Sequence, residues 1–257
     1  MKLLKFIWWF PLAIYMIVSP SFVADIAYRE NCNRIEIDIK DSLDNALVSS
    51  DMLFSLIHND DNMRLGTPMS EINIESIETQ LKKINELSSV EVYSTIDGTL
   101  HVEADQRDPI VRIITSYGNS YYIDDTGVII DHSSDYTPRV LVVSGAITVP
   151  DKAINRGNVN SLAETELLIE ILDLVKEINS HHLWSSQFEQ LWVSEDGNVE
   201  LIPRVGNQLI KLGKPEGYRQ RLKNLETFYK DAIHDVGWNS YREINLMYEG
   251  QIVCKKR

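Results

Sequence analysis

The stretch VEVYSTIDGTLHVEA, residues 90–104, alternates apolar and polar residues on both sides of the dipeptide Asp97-Gly98. Side chains alternate between the two faces of a strand, so the apolar residues of each arm share one face. Asp-Gly is favoured in two-residue hairpin turns because glycine readily adopts a positive φ. The stretch therefore predicts a β-hairpin whose buried face carries Val90, Val92, Leu100 and Val102.

The residues before this hairpin predict one strand and two helices. Residues 35–39 alternate isoleucine with charged residues, which is typical of a strand with one buried face. Ser49 or Ser50 suits a helix N-cap, with Asp51 in the first turn, and the apolar residues at helical spacing behind it are Leu53, Leu56 and Ile57. A second helix is predicted from the stripe Ile74, Ile77, Leu81 and Ile84. The resulting order is β-α-α-β-β, in which two helices can cover one face of a three-stranded sheet.

From about residue 113 the pattern changes to short strands separated by turns, which we interpret as a meander. One helix interrupts it, with Ser161 and Glu164 as a predicted capping box and an inward stripe of Leu167, Leu168, Ile171, Leu174, Val175 and Ile178. A second helix is predicted to start near Pro215 and to carry Leu225 and Phe228 on one side. The chain ends in an extended stretch that includes residues 244–253.

The N-terminal stretch LLKFIWWFPLAIYMIVSPSFVA, residues 3–24, is apolar and about as long as a bilayer-spanning helix. It predicts a short cytoplasmic tail and a transmembrane helix within residues 1–24, followed by a juxtamembrane link over 25–33. A cleaved signal peptide is the alternative. Phe22 and Asp25 stand where an Ala-x-Ala-like cleavage site would need small residues, so an uncleaved anchor in the lipid bilayer is favoured.

The orientation of this segment is not decided by counting charges, since Lys2 and Lys5 on one side are matched by Arg29 and Arg34 on the other. The tail before the segment is short and the sequence after it is long. That arrangement favours a cytoplasmic N-terminus and a periplasmic bulk.

Composition argues against nucleic-acid binding and against a disulfide framework. The chain has 25 Lys and Arg against 38 Asp and Glu, a net charge of −13, which would repel phosphate backbones. Cys32 and Cys254 are the two cysteines and match no zinc motif. A bridge between them is possible only if the two ends of the chain meet in space.

Residues that suggest chemistry have simpler interpretations. His181 and His182 are adjacent, so their side chains diverge and do not readily share one metal ion. The sequence 124–127, Asp-Asp-Thr-Gly, lacks the further oxygen ligands of a calcium loop and fits a hairpin turn. Trp184 and Trp192 are predicted to pack in the core or between elements. No phosphate loop or nucleophile motif occurs, so we predict no catalytic residues, no cofactor, no metal and no enzyme.

The ordered set of elements resembles the FtsQ/DivIB family of bacterial cell division proteins. The passage 105–112, the turn 122–127 and the strand 138–145 are similar to family motifs. The resemblance implies an α+β fold: a single transmembrane helix, a β-α-α-β-β POTRA-like domain over 34–112, and a C-terminal mixed β domain with packed helices over 113–257. One departure is Met247, which stands where the family has arginine in its "D-L-R-Y" strand.

The resemblance also implies a function by binding. The family acts as a non-enzymatic divisome scaffold at the inner membrane of the division septum, linking early and late division proteins. Its β domain pairs with the FtsB/FtsL coiled-coil complex. Its POTRA domain contacts other divisome proteins and helps recruit the protein to the septum. A POTRA-type module of envelope biogenesis that binds client polypeptides is the alternative, and an anchored periplasmic hydrolase with an unrecognised site is a third hypothesis.

A strand at the end of a chain tends to lie at a sheet edge, where it can accept a partner strand. We therefore expect residues 246–254 to form such an edge, with Tyr248 as an aromatic anchor and the helix 218–229 beside it. The opposing interpretation is a covered or internal strand. The predicted partner-binding residues are Tyr218, Leu222, Tyr229, Leu246, Met247, Tyr248, Gln251 and Ile252.

Overall fold

A computed structural model of the chain describes residues 15–16, 30–40, 47–58, 65–131, 136–161, 165–233 and 236–257. The chain divides into two compact units, residues 1–107 and 108–257. The second unit thus begins ahead of the boundary at residue 112 that the sequence suggests.

The first unit contains a three-stranded sheet built from β1 (Arg34–Lys40), β2 (Leu87–Ser94) and β3 (Thr99–Gln106). The strand order is β1-β3-β2, with β3 parallel to β1 and antiparallel to β2. The predicted hairpin is confirmed: Val92 lies opposite Val102, and Gly98 occupies the turn with a φ of 78°. The apolar residues of the alternating pattern are buried together on one face of the sheet.

Two helices connect β1 to this hairpin, as predicted. Helix α1 (Ser50–His58) packs against β1 and α2 (Ile74–Leu81) against β2. Ser49 caps α1, since its Oγ accepts a hydrogen bond from the Met52 amide at 3.2 Å. The predicted stripes are confirmed at Leu53, Ile57, Ile77 and Leu81, which are all buried.

Two residues assigned to these stripes lie elsewhere. Leu56 is 44% exposed, because the buried stripe of α1 runs through Leu53 and Ile57 and leaves Leu56 at its margin. Ile84 lies beyond the last residue of α2, Leu81.

The second unit contains a nine-stranded sheet. Its strand order is β12-β11-β10-β9-β8-β7-β4-β5-β6. The pairs β4–β7, β7–β8 and β10–β11 are parallel and the others antiparallel, so the predicted simple meander is wrong. Parallel neighbours need a crossover, and helices make two of these crossovers. The strands are β4 (Pro109–Ile114), β5 (Ser120–Asp124), β6 (Ile129–Asp131), β7 (Leu141–Gly145), β8 (Phe188–Val193), β9 (Val199–Pro203), β10 (Leu209–Gly213), β11 (Tyr241–Asn245) and β12 (Val253–Lys256).

The described helices of this unit are α3 (Asp151–Arg156), α4 (Glu166–Ser180), α5 (His182–Gln187) and α6 (Tyr218–Phe228). Helix α4 makes the crossover from β7 to β8 and α6 the crossover from β10 to β11, where a π-helical turn, Tyr229–Ile233, extends α6. The inward stripe of α4 is buried as predicted, with Leu167 partly buried.

The predicted capping box of α4 is wrong. Residues Val159–Ser161 form a 3₁₀ turn and α4 begins only at Glu166, so Ser161 lies too far from the helix to cap it. Thr165 occupies the N-cap position, but its hydroxyl donates to the Val159 carbonyl oxygen. Glu164 lies outside the described residues.

The helices and the nine-stranded sheet of the second unit share one apolar core. Leu191 and Val193 point into it from β8, whereas Trp192 points to the opposite face and is 44% exposed. The prediction of a core role is therefore confirmed for Trp184, which is buried, and wrong for Trp192, because alternation along β8 directs its side chain away from the helices.

The predicted transmembrane helix requires a correction to the fold class. In the part of the chain that the structure describes, no helix combines the length and the apolar character needed to cross a membrane. Of residues 1–24 only Tyr15 and Met16 are described, and the rest of that prediction lies outside the described residues. The α+β character, the β-α-α-β-β unit and the β-rich second unit are observed.

The two cysteines are not bridged. Cys32 is a buried free thiol in the first unit, and Cys254 is a half-buried free thiol in the second.

The close approach of β7 to β8 gives the first testable prediction. Gly145 has a φ of 108°, and a Cβ added there would stand 2.2 Å from the Val193 carbonyl oxygen. Gly118 also has a positive φ, of 84°, but has no atom within 4 Å of the added Cβ. We expect Gly118→Ala to lower the free energy of unfolding by about 1 kcal/mol through backbone strain alone, and Gly145→Ala to lower it by roughly 2 kcal/mol more.

Urea unfolding of the full chain measures both values. Equal losses for the two variants would show that the backbones of β7 and β8 separate easily, contrary to the tight pairing described here.

Candidate functional site

The last residues of the chain form a hairpin, not one extended strand. Strand β11 ends at Asn245, whose Oδ1 accepts a hydrogen bond from the Met247 amide at 2.9 Å. This Asx-type turn, together with Gly250 at a φ of 71°, reverses the chain before β12 begins at Val253. The prediction of one continuous extended stretch over 244–253 is therefore wrong. We call residues 241–257 the C-terminal hairpin.

Strand β12 (Val253–Lys256) is an edge of the nine-stranded sheet. Of the edge predicted over 246–254, only Val253 and Cys254 lie in this strand, because residues 246–252 form the turn that precedes it. It pairs with β11 on one side, and within the described ranges no other strand pairs with it. The backbone N–H and C=O groups on its outer side therefore face away from the sheet. Such groups form a template for an added strand.

Buried side chains fasten the C-terminal hairpin to the core. Ile244 is fully buried, and Leu246 is 3% exposed. The Leu246 amide donates to the Lys211 carbonyl oxygen at 2.9 Å, which extends the pairing of β10 with β11 by one bond. Ile252 and Cys254 are half-buried against the same core. These contacts attach the C-terminal hairpin, and with it the edge strand β12, to the core.

A three-residue ion cluster crosses the strands at this edge. Oε2 of Glu243 on β11 accepts a hydrogen bond from Nζ of Lys255 on β12 at 3.2 Å and lies 3.3 Å from Nζ of Lys211 on β10. Oε1 of Glu243 lies 2.9 Å from the same Lys255 Nζ. The hydrogen bond from Lys255, and then the charge and hydrogen bond of Lys211, hold the pKa of Glu243 below its ordinary value. Only 15% of the Glu243 side chain is exposed, so the cluster joins β10, β11 and β12 on one face of the sheet.

Four of the predicted partner-binding residues lie in the core. Tyr218, Leu222 and Tyr229 on α6 and its π-helical extension are each between 3% and 6% exposed. The Tyr218 hydroxyl donates to the Asp173 carbonyl oxygen of α4 at 3.3 Å. These side chains support the sheet beneath the C-terminal hairpin, and they do not present a surface to a partner. Leu246 is buried with them.

The other predicted residues lie in the turn that leads into β12. Met247 and Tyr248 are 48% and 51% exposed, Gln251 is exposed and Ile252 is half-buried. Met247 lies over the end of β10: a Cβ added to Gly213 would stand 3.0 Å from its Cγ. Large exposed side chains of this kind are suitable anchors for a bound segment.

Sequence analysis missed the ion cluster and the exposed Val253 next to it. The charges of Lys211, Glu243 and Lys255 are visible in the sequence, but their meeting depends on the parallel register of β10 with β11, which no local pattern reveals. Val253 is the first residue of β12, is 40% exposed and pairs with Asn245 of β11.

Residues considered for chemistry hold structural positions. His181 follows the last residue of α4 and stacks on Trp184, with Nε2 4.0 Å from Glu226, and His182 begins α5. Asp124 closes the β5–β6 hairpin, its Oδ1 accepting from the amides of Thr126 and Val128. Among the residues that the structure describes, no group of three or more His, Cys, Asp or Glu side chains is placed to hold a metal ion.

Comparison with known proteins agrees with this architecture. Residues 108–255 match the family model described as FtsQ/DivIB, C-terminal related, and residues 30–105 match a POTRA-like domain. The chain belongs to the FtsQ/DivIB family. The resemblance read from the sequence is confirmed, and this FtsQ/DivIB protein is a cell division protein with a POTRA-like domain. Family membership places it at the division site and among proteins that work through divisome contacts.

One relative of this FtsQ/DivIB protein is the cell division protein FtsQ of Geotalea daltonii. The two are 25% identical over 200 residues, which is 76% of this chain and 67% of the relative.

The buried position of Tyr229 gives the second prediction. Its hydroxyl lies beside Gln187 and Gln208 without a well-formed hydrogen bond within the described part of the chain, and burial raises the pKa of Tyr229 to about 12. We expect Tyr229→Phe to change the free energy of unfolding by less than about 1 kcal/mol, and Tyr229→Ala to lower it by about 3–5 kcal/mol. Urea unfolding distinguishes the two; a large loss in the phenylalanine variant would show that the hydroxyl is bonded.

The ion cluster gives the third prediction, a dependence of stability on pH. A carboxyl whose pKa is lowered by folding stabilises the fold above its ordinary pKa, and this contribution is lost as pH falls through the lowered value. We therefore expect the free energy of unfolding at pH 7 to be higher for the native chain than for the Glu243→Gln variant. This difference should decrease between about pH 5 and pH 3. Urea titrations at several pH values measure it, and a difference independent of pH would contradict the assigned ion pairs.

Proposed function

We propose that this protein is a non-enzymatic scaffold of the divisome that adds a strand of an FtsB/FtsL-like partner to the edge strand β12. The observation that carries the proposal is the position of β12 at the edge of the nine-stranded sheet, with its outer backbone groups unpaired among the described strands. A bound strand gains backbone hydrogen bonds there, and side-chain contacts at its ends determine which segment binds.

Anchoring side chains beside the edge support the proposal. Met247 and Tyr248 are half-exposed in the turn that precedes β12, so under this proposal they are the large side chains of the C-terminal hairpin available to a bound segment. Tyrosine is enriched among residues that dominate binding energy, because it offers a large contact area together with a polar group. The buried Ile244 and Leu246 attach the C-terminal hairpin to the core before a partner binds, and a preorganised surface loses less conformational entropy on binding.

The POTRA-like unit supplies a second surface under this proposal. Strands β1 and β2 are the two edges of its three-stranded sheet, and they could contact other division proteins in the same way. One scaffold would then join early and late division proteins through two separate units, with no cofactor or reacting group required.

Cysteine crosslinking tests strand addition at β12 and gives the fourth prediction. Val253→Cys in a Cys254→Ser background places a thiol on the exposed side of β12. Cβ atoms of directly opposed residues in antiparallel strands lie about 4.5–5.5 Å apart, and disulfides tolerate somewhat shorter separations, so the strands can bridge with a small adjustment. We expect crosslinking to single cysteines placed along one segment of the FtsB/FtsL-like partner, with yields that alternate every second residue.

Tyr117→Cys in the same background is the matched control. Tyr117 is 83% exposed in the β4–β5 turn, so its thiol is accessible but far along the sheet from β12. Uniform crosslinking along the partner, or equal yields at both positions, would refute strand addition at this edge.

A further inference from the structure

We propose that the edge strand β12 selects a partner segment with acidic side chains, and that its positive charge prevents pairing with a second copy of β12. The inference rests on the proposed strand addition and specifies the chemistry of the segment that is added. It follows from the charges of the C-terminal hairpin and from the direction in which consecutive side chains point.

The C-terminal hairpin has a charge opposite to that of the whole chain. Between residues 241 and 257 it carries Arg242, Lys255, Lys256 and Arg257 against Glu243 and Glu249, while the chain has a net charge of −13. A local patch of the opposite sign directs association toward a ligand of complementary charge.

The ion cluster does not neutralise this patch. Lys211 and Lys255 share the single carboxylate of Glu243, so the cluster retains one positive charge. Lys255 still has 53% of its side chain exposed, and Lys256 and Arg257 are exposed. Cations therefore remain accessible along β12.

The geometry of β12 presents cations on both faces of the sheet. Lys255 lies on the face of the ion cluster, and consecutive side chains of a strand point to opposite faces, so Lys256 lies on the other. Arg257 is ordered beside them: its amide donates to the Ser240 carbonyl oxygen and its Nη2 to the Asn207 carbonyl oxygen, each at 3.3 Å. A partner strand with two consecutive carboxylates can thus meet a lysine on either face.

The same charges work against self-association. Two copies of β12 paired edge to edge would bring lysines close to lysines, and like charges in facing positions of paired strands are destabilising. Charged residues on edge strands are a known protection against such pairing. The surface therefore fits a different chain, an extended acidic polypeptide segment.

Peptide binding to the full chain tests this inference and is the fifth prediction. The probes are three peptides of about ten residues, alternating Thr and Val, with a central pair of Glu, Gln or Lys. We expect the Glu peptide to bind about three- to tenfold more tightly than the Gln peptide at low salt, with the ratio falling toward one as salt screens the charges. The Lys peptide is expected to bind most weakly. Chemical shifts of β12 amides in NMR titrations locate and measure the binding.

A charge-reversed pair of variants provides the control. Lys256→Glu with Arg257→Glu should reverse the preference between Glu and Lys peptides and leave Gln-peptide binding nearly unchanged, which also shows that the edge is folded. Lys82→Glu with Lys83→Glu makes the same change in net charge on the first unit, at two exposed residues, and should keep the original preference. A loss of preference in the control would assign the effect to the overall charge of the chain and overturn the inference.

The remaining outcomes separate this inference from the proposed function. Equal binding of all three peptides at β12 would leave strand addition in place and refute selection by charge. Binding of none of them would refute strand addition at β12, and the inference would fall with it.

Discussion

The parallel pairing of β10 with β11 is the constraint on which the C-terminal surface depends. Ile210 and Ile244 are opposed in this pair and both are fully buried, so the register is set where water is excluded. Because β11 has β10 on one side, only its other side is open to β12. The same register brings Lys211 and Glu243 together. The edge strand, the ion cluster and the exposed turn all follow from one buried contact.

Helix α6 makes this pairing possible. Parallel neighbours require a crossover, and α6 carries the chain from the end of β10 back to the start of β11. Tyr218, Leu222 and Tyr229 are buried for this reason: they attach the crossover to the sheet. Tyr218 and Tyr229 therefore stabilise the sheet from its buried side, whereas Met247 and Tyr248 are exposed to solvent.

Local patterns predicted the parts of the fold that local interactions determine. The hairpin around Asp97-Gly98, the N-cap at Ser49 and the inward stripe of α4 each need only alternation, capping or helical spacing, and each is present. The parallel pairs were missed because they join distant segments. The same reason explains the candidate site: the edge strand could be predicted from its place in the sequence, whereas the cluster around Glu243 required the register.

The exposed face of the first sheet differs in charge from strand β12 of the second. In the first unit Asp38, Glu103 and Glu91 stand side by side across β1, β3 and β2, so that face is acidic while β12 is basic. Net charge therefore says little about which segment each unit attracts. The distribution of charge over the individual strands is the relevant quantity.

Because β12 is short, side chains have to determine most of the specificity of the proposed strand addition. Strand β12 has four residues, so an added strand gains only a few backbone hydrogen bonds, each worth about 0.5–1.5 kcal/mol net. Those bonds are the same for almost any sequence. Under the proposed strand addition, discrimination comes from side chains such as Met247 and Tyr248 and from the charges of Lys255 and Lys256. Backbone pairing at this edge is weak and independent of sequence, so a bound segment can dissociate readily. The local positive charge then favours one kind of partner and disfavours pairing with a second copy of β12.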